Sequence, residues 1–353
     1  MRKGKRLIAW IMAVVMLFTI CVFGGNGTAE AAATTPVAKH GRLSVKGADL
    51  VDSKGNKFQL RGISTHGINW DVGSPYVNKK AFKTLRDDWG VNAIRLAMYT
   101  EEYNGYCSGG SQAKLRKLVD KGVGYATDLG MYAIIDWHIL SDGNPNKNKS
   151  QAKKFFTTMA KKYKNNKNVI YEICNEPNGC SWKEIKSYAT DIIKTIRKYD
   201  KKAVIIVGTP TWSQLGTDGT SNEVADSPIK GYKNIMYSLH FYASEWAHNE
   251  YLPAKVAYAR KKKLPIIVSE FGLSPASGDG AINKASADKW MKLLNKYNIS
   301  YFCWSLSNKN ESASLLKPST KKTSGWKSGD LSTAGKYIKK KYLARKKALG
   351  KKA

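Results

Sequence analysis

The 353-residue chain is 42% hydrophobic with a mean hydropathy of −0.43, which excludes a disordered or polytopic membrane protein and allows one large domain or two small ones. Its five cysteines are too few for a disulfide scaffold and match no zinc spacing. A net charge of +32 points to an anionic surface or nucleic acid as partner, or to a solvated helical surface with a lysine tail.

The chain opens with Arg2, Lys3, Lys5 and Arg6, then an apolar run over Leu7–Phe23, then small residues at Ala29-Glu30-Ala31 and Ala31-Ala32-Ala33. That order predicts a signal peptide over residues 1–33 and a secreted, extracellular product beginning near Ala32 or Thr34. An uncleaved anchor is the alternative, since 17 apolar residues approach the length of a membrane span. Ile20, bulky before Cys21, argues against lipid attachment there. No later segment is apolar enough to span, so no stable membrane insertion is expected after cleavage. Export also argues against nucleic acid. Losing four basic residues and Glu30 leaves a charge of +29.

Residues 41–58 predict a two-stranded hairpin turning at Ser53-Lys54-Gly55-Asn56. Strands follow at 58–63, 92–98, 132–138, from 169, and at 203–208, 234–242, 265–272 and 299–307. Helices are predicted at 79–90, 112–130, 150–163, 182–199, 254–263, 284–297 and 333–343, with a long loop and at most a short helical piece after the fifth strand. The strands are short and almost continuously apolar, as parallel strands are when both faces are buried. Eight such units in one domain predict an α/β fold, a (β/α)8 TIM barrel over residues 34–343, with the hairpin capping its bottom. An open doubly wound sheet is the alternative. It calls for a glycine-rich phosphate loop after its first strand, and "RGISTHG" (61–67) is not one. Residues 344–353 form a basic tail. Nine cations and no acid lie between Lys336 and Ala353, and few anchors follow Leu343, so deleting 345–353 is expected to leave hydrolysis unchanged. Cys174 and Cys303 sit in strands as buried thiols. Cys107 and Cys180 lie in loops, and their pairing stays open.

In such a barrel the C-terminal ends of the strands converge on one face. They deliver His66, Arg95, Asp136-Trp137-His138, Asn175-Glu176, His240, Tyr242, Glu270 and Trp304. Polar groups on seven otherwise apolar strands form one set. Glu176 and Glu270 are a pair that can cleave a glycosidic bond, one protonating the leaving oxygen while the other attacks the anomeric carbon. Arg95 then holds Glu270 ionised, Tyr242 aims it, and His240 bonds Glu176. Asn175 is expected to donate to a sugar 2-hydroxyl and Trp304 to stack on the ring. Nineteen Tyr and ten Trp suit an amphipathic ligand.

Taken in order, "GISTHGINW", "IRLAM", "DWH", "ICNEPNG", "HFY", "IVSEFG" and "CWSLSNKNES" resemble glycoside hydrolase family 5, and within it the bacterial endo-β-1,4-glucanases, over about residues 38–343. The resemblance implies that Glu176 is the acid/base and Glu270 the nucleophile, with Arg95, His138, Asn175, His240 and Tyr242 in support. It implies that His66, Trp70, Trp304, Lys309 and Glu311 contact glucose units on the non-reducing side, and Trp212 one on the leaving side. It further implies a monomer that hydrolyses β-1,4-glucan with no metal and no cofactor. A separate carbohydrate-binding module, frequent in secreted members, is not seen in this chain, so strong binding to crystalline cellulose is not expected. Mannanase activity is the alternative within the scaffold. A non-catalytic sugar-binding barrel and a cationic adhesin are the alternatives outside it.

Overall fold

The computed structural model describes residues 35–350; the signal-peptide reading of 1–33 and the last three tail residues lie outside them. A hairpin, β1 (Ser44–Lys46) and β2 (Asp49–Val51), precedes eight further strands. These are β3 (Arg61–Thr65), β4 (Ala93–Tyr99), β5 (Tyr132–His138), β6 (Val169–Glu172), β7 (Ile205–Val207), β8 (Ile235–Tyr242), β9 (Ile266–Gly272) and β10 (Tyr301–Leu306). They pair in parallel, each with the next, and β10 returns to β3 to close the barrel. Helices on the outside connect them, as the continuous apolar strands require. The doubly wound alternative falls with that closure.

The hairpin does reach the bottom of the barrel. Leu43, Leu50 and Phe58 join Tyr132, Ile134, Ile170, Ile206, Met236, Ile267 and Phe302 in one buried cluster. Its turn is not where the sequence suggests. Gly47, at φ 59°, supplies the positive φ that a two-residue hairpin turn needs at its first position. Ser53–Asn56 form a second reversal, in which Asp52 Oδ1 accepts the N–H groups of Lys54 and Asn56, each at 2.9 Å. Residues 58–60 belong to this plug, so β3 starts at Arg61 instead of Phe58.

Two helices run further than expected. The one predicted at 254–263 spans Trp246–Lys261 and carries Pro253 inside it, where the proline reads in sequence as a boundary. The last spans Thr333–Gly350, so the boundary at 343 falls within it. Arg345 Nε donates to Gln59 Oε1 at 2.8 Å and Nη2 to Asn298 Oδ1 at 3.4 Å, which docks the tail on the bottom plug. The four described cysteines are free, with Cys174 and Cys303 buried. Among the described residues no helix is long and apolar enough to cross a membrane.

Candidate active site

With the bottom plugged, the main cleft opens at the C-terminal ends of the strands. Arg95, on β4, lies fully buried at the centre of that end. Its Nε donates to Glu172 Oε2 at 2.7 Å, Nη1 to Glu270 Oε2 at 2.9 Å and Nη2 to Asn175 Oδ1 at 2.6 Å. Nη2 is also 3.0 Å from Asp136 Oδ2. Burial alone lowers an arginine's pKa, but Asp136, Glu172 and Glu270 outweigh it and push Arg95 up. The converse cost falls on the acids. Burial pushes Asp136 up to about 7 and also raises Glu172, with Arg95 opposing both.

The two glutamates picked out from sequence stand above this cation in unlike surroundings. Glu270 Oε1 accepts the Tyr242 hydroxyl at 2.6 Å while Arg95 holds Oε2, so both oxygens are oriented and flanked by donors. Among the described residues no lysine or arginine pairs directly with Glu176. Its Oε1 is 2.7 Å from His240 Nδ1, and burial, opposed by Arg95 but reinforced by Asp136 and Glu172, pushes its pKa up to about 8. Burial likewise pushes His240 down to about 4, so the imidazole is neutral near pH 7. Its Nε2 meets Ser269 Oγ at 2.9 Å, and Ser269 Oγ meets Ser238 Oγ at 2.5 Å. A neutral imidazole between a carboxyl and a hydroxyl has two tautomers. One accepts from a protonated Glu176 and the other donates to an ionised one. Oxygens of Glu176 and Glu270 and a ring nitrogen of His240 lie within 4.8 Å of one another. Protein hydrogen bonds already engage all three side chains.

His138 sits beside this group. Its Nδ1 is 2.6 Å from Asp136 Oδ2, and burial, helped by Arg95, pushes it down to about 3. Asn175 is engaged by the protein itself. It is fully buried, and its Nδ2 donates to Ile139 O at 3.0 Å and faces His138 Nε2 at 3.3 Å. It is not among the residues that line the cleft. Its Oδ1 accepts from Arg95, which likewise is not among the cleft-lining residues.

The cleft above is about 590 Å³ and is lined by Glu176, Glu270, His138, His240 and Tyr242 together with His66, Trp70, Trp212, Trp304, Lys309 and Glu311. His66 Nδ1 accepts the Gly67 N–H at 2.8 Å, and its Nε2 faces Glu311 Oε1 at 3.7 Å. Lys309 Nζ pairs with Glu311 Oε2 at 2.5 Å. The His66 ring lies 5.7 Å from that of Trp70 and 5.2 Å from that of Trp304, which stacks on His138. Trp212 stands apart, 44% exposed, on a turn where Thr211, Trp212, Ser213 and Leu215 all have positive φ. Such backbone is strained and is held from three sides. Trp212 N–H donates to Pro177 O at 3.0 Å, Ser213 Oγ to Asn175 O at 2.7 Å, and the buried Lys255 Nζ to Gln214 O at 3.1 Å.

Sequence reasoning missed several parts. Glu172 and Tyr99 carry a usable signal, a charge inside an apolar strand and an aromatic at a strand end. Gln214, Glu245, His248 and Ser277 line the cleft from loops or the first turn of a helix, where no periodicity marks them.

Comparison with known proteins gives a consistent set. Residues 51–310 match the family model described as cellulase, glycosyl hydrolase family 5. An endoglucanase of Clostridium saccharobutylicum is 47% identical over 341 residues, covering 95% of this chain and 72% of that one. Endoglucanase A of Butyrivibrio fibrisolvens is 45% identical over 303 residues, covering 85% of this chain and 68% of its own length. The crystal structure of the catalytic domain of Thermobifida fusca endoglucanase Cel5A superposes with a TM-score of 0.81 at 37% identity, covering 88% of this chain and 99% of that one. The same domain has been solved in complex with cellotetraose.

Proposed function

The chain belongs to the cellulase family, glycosyl hydrolase family 5, and from that membership we propose that it is a secreted endo-β-1,4-glucanase that cleaves by retention. One observation carries the stereochemistry. Carboxylate oxygens of Glu176 and Glu270 lie within 4.8 Å of each other, whereas an inverting pair stands roughly 6.5–9.5 Å apart to admit a water. Glu270, oriented by the donors of Arg95 and Tyr242, attacks the anomeric carbon directly. Glu176, kept protonated near pH 7 by burial, gives its proton to the leaving oxygen. A glycosyl ester on Glu270 and a free sugar end result.

Esterification removes the Glu270 charge, so Glu176 no longer ionises beside it and releases its proton more easily. As a carboxylate it takes a proton from the water that attacks the ester. His240 follows by exchanging tautomers, which keeps Glu176 bonded in both steps. His138 and Asn175 act through Asp136 and Arg95. His66, Trp70, Trp304, Lys309 and Glu311 bind the non-reducing side of the substrate and Trp212 stacks on the leaving side. The reading needs no metal or cofactor and no partner beyond the glucan. The non-catalytic alternative, a sugar-binding barrel, leaves the unlike settings of the two glutamates unaccounted for.

Proton NMR of the first sugar released from a soluble β-1,4-glucan, by enzyme recovered from the culture medium, tests the reading. The β anomer is expected first, and the mass of that enzyme is expected to lack about the first 30 residues. An initial α product would remove Glu270 from the nucleophile role, and an intact Met1 would remove the leader.

A further inference from the structure

Among the described residues, five large hydrophobic side chains are exposed: Tyr103 at 81%, Trp246 at 68%, Trp212 at 44%, and Tyr251 and Leu343 at 37%. Scattered singly, such residues need no explanation. Four of these five are aromatic, and all four follow a barrel strand on the open face: Tyr103 after β4, Trp212 after β7, Trp246 and Tyr251 after β8.

Trp246 stands out because its position is built. Its ring meets that of Tyr251 edge to face at 5.8 Å. Tyr251 lies against Gly219, where an added Cβ would come 2.9 Å from the ring, and Gly219 belongs to the segment that follows the Trp212 turn. On its other flank, Glu245 and His248 both line the cleft. Glu245 Oε1 accepts the Ala276 N–H at 2.7 Å, and His248 Nδ1 accepts the Tyr242 N–H at 2.9 Å. A large ring left mostly in water, braced by a second ring and fixed between two cleft residues, is pre-organised for a flat amphipathic ligand. Tyr103, although more exposed, has no ring partner among the described residues.

We propose that Trp246, braced by Tyr251, is a stacking platform for a sugar ring of the glucan beyond Trp212, outside the cleft on the leaving side. This rests on the glucanase reading and on Trp212 marking the leaving side. It extends the substrate site past the catalytic cleft, so that a chain with several units on that side is held better than a short one.

Hydrolysis of cellohexaose and cellotetraose by the full chain and by Trp246→Ala, Trp246→Phe and Tyr103→Ala tests the platform. Trp246→Ala is expected to lower kcat/KM on cellohexaose about three- to tenfold, the range of one lost aromatic contact. It should also shift cleavage toward shorter leaving fragments and keep cellotetraose within about twofold. Trp246→Phe should restore most of the loss, and Tyr103→Ala should change little. The platform is overturned if Trp246→Ala affects both oligosaccharides equally or neither, or if Tyr103→Ala has the same effect. If the unmodified chain cleaves neither oligosaccharide, the glucanase reading fails and the platform with it; if it cleaves both and Trp246→Ala matches it, only the platform fails.

Discussion

Glu176 and Glu270 are the same side chain put to opposite uses, and their neighbours account for the difference. Arg95 and Tyr242 give Glu270 two donors; Glu176 has burial, a neutral imidazole and two carboxylates close by. Since Glu176 must carry a proton to act as the acid, kcat/KM is expected to fall as pH rises through about 8. Glu172 adds to that raised pKa. Glu172→Gln removes its charge, keeps an acceptor for Arg95 Nε and leaves more of the Arg95 charge uncompensated. Both changes favour an ionised Glu176, so the alkaline limb should move to lower pH. A pH–rate profile whose limb stays put or moves upward would show that Glu172 does not set the acid. Much of this site is legible in the sequence because Glu176 follows and Glu270 lies near the end of an apolar run that breaks into polar residues. Glu172 can be noticed in the sequence but not given a role there. It lies inside "VIYEI" (169–173), and only Arg95 arriving from another strand explains a buried carboxylate there. The engagement of Asn175 with His138 and Ile139 is hidden for the same reason, since it depends on contacts 36 and 37 residues away.

At the scale of single elements, the strands and most helices follow from period and punctuation, and the exceptions have local causes. Pro253 hides the first two turns of the Trp246–Lys261 helix, which matters because those turns carry His248 into the cleft. The hairpin turn is obscured by two neighbouring candidate reversals, of which Gly47 makes one and Asp52 the other. The seam between β3 and β10 is not legible at all. Gly62 reads as an ordinary weak point in a strand, yet a Cβ there would sit 1.9 Å from the Phe302 ring. Phe302 occupies the space a side chain on β3 would need and fills the bottom cluster with it. Gly62→Ala is therefore expected to cost about 2–3 kcal/mol by overpacking and to lower the calorimetric midpoint by several degrees. Activity at 25 °C should be retained, because the site lies at the other end of the strands. An unchanged midpoint would mean that Phe302 moves aside freely.

For the molecule as a whole, the charge of +32 marks no nucleic-acid fold, and the basic tail turns out to be partly structural. Arg345 reaches Gln59 on the bottom plug and Asn298 after the preceding helix. Ending the chain at Ala344 is thus expected to cost about 1–2 kcal/mol in lost hydrogen bonds and about 2–5 °C in midpoint. The rate on a neutral soluble glucan at 25 °C should not change. A midpoint equal to that of the full chain would return the tail to the free state read from its composition. The same end of the barrel bears on how the protein is made. Leu60 bonds Ser300 across 240 residues, and β3 pairs with β10 beside that contact. On a ribosome adding roughly 5–20 residues per second, the outer edge of β3 waits on the order of ten to fifty seconds for its partner. Through that interval a nascent chain carries an open strand edge, a template for pairing with its neighbours, and it holds Arg95 well before Glu270 has been synthesised.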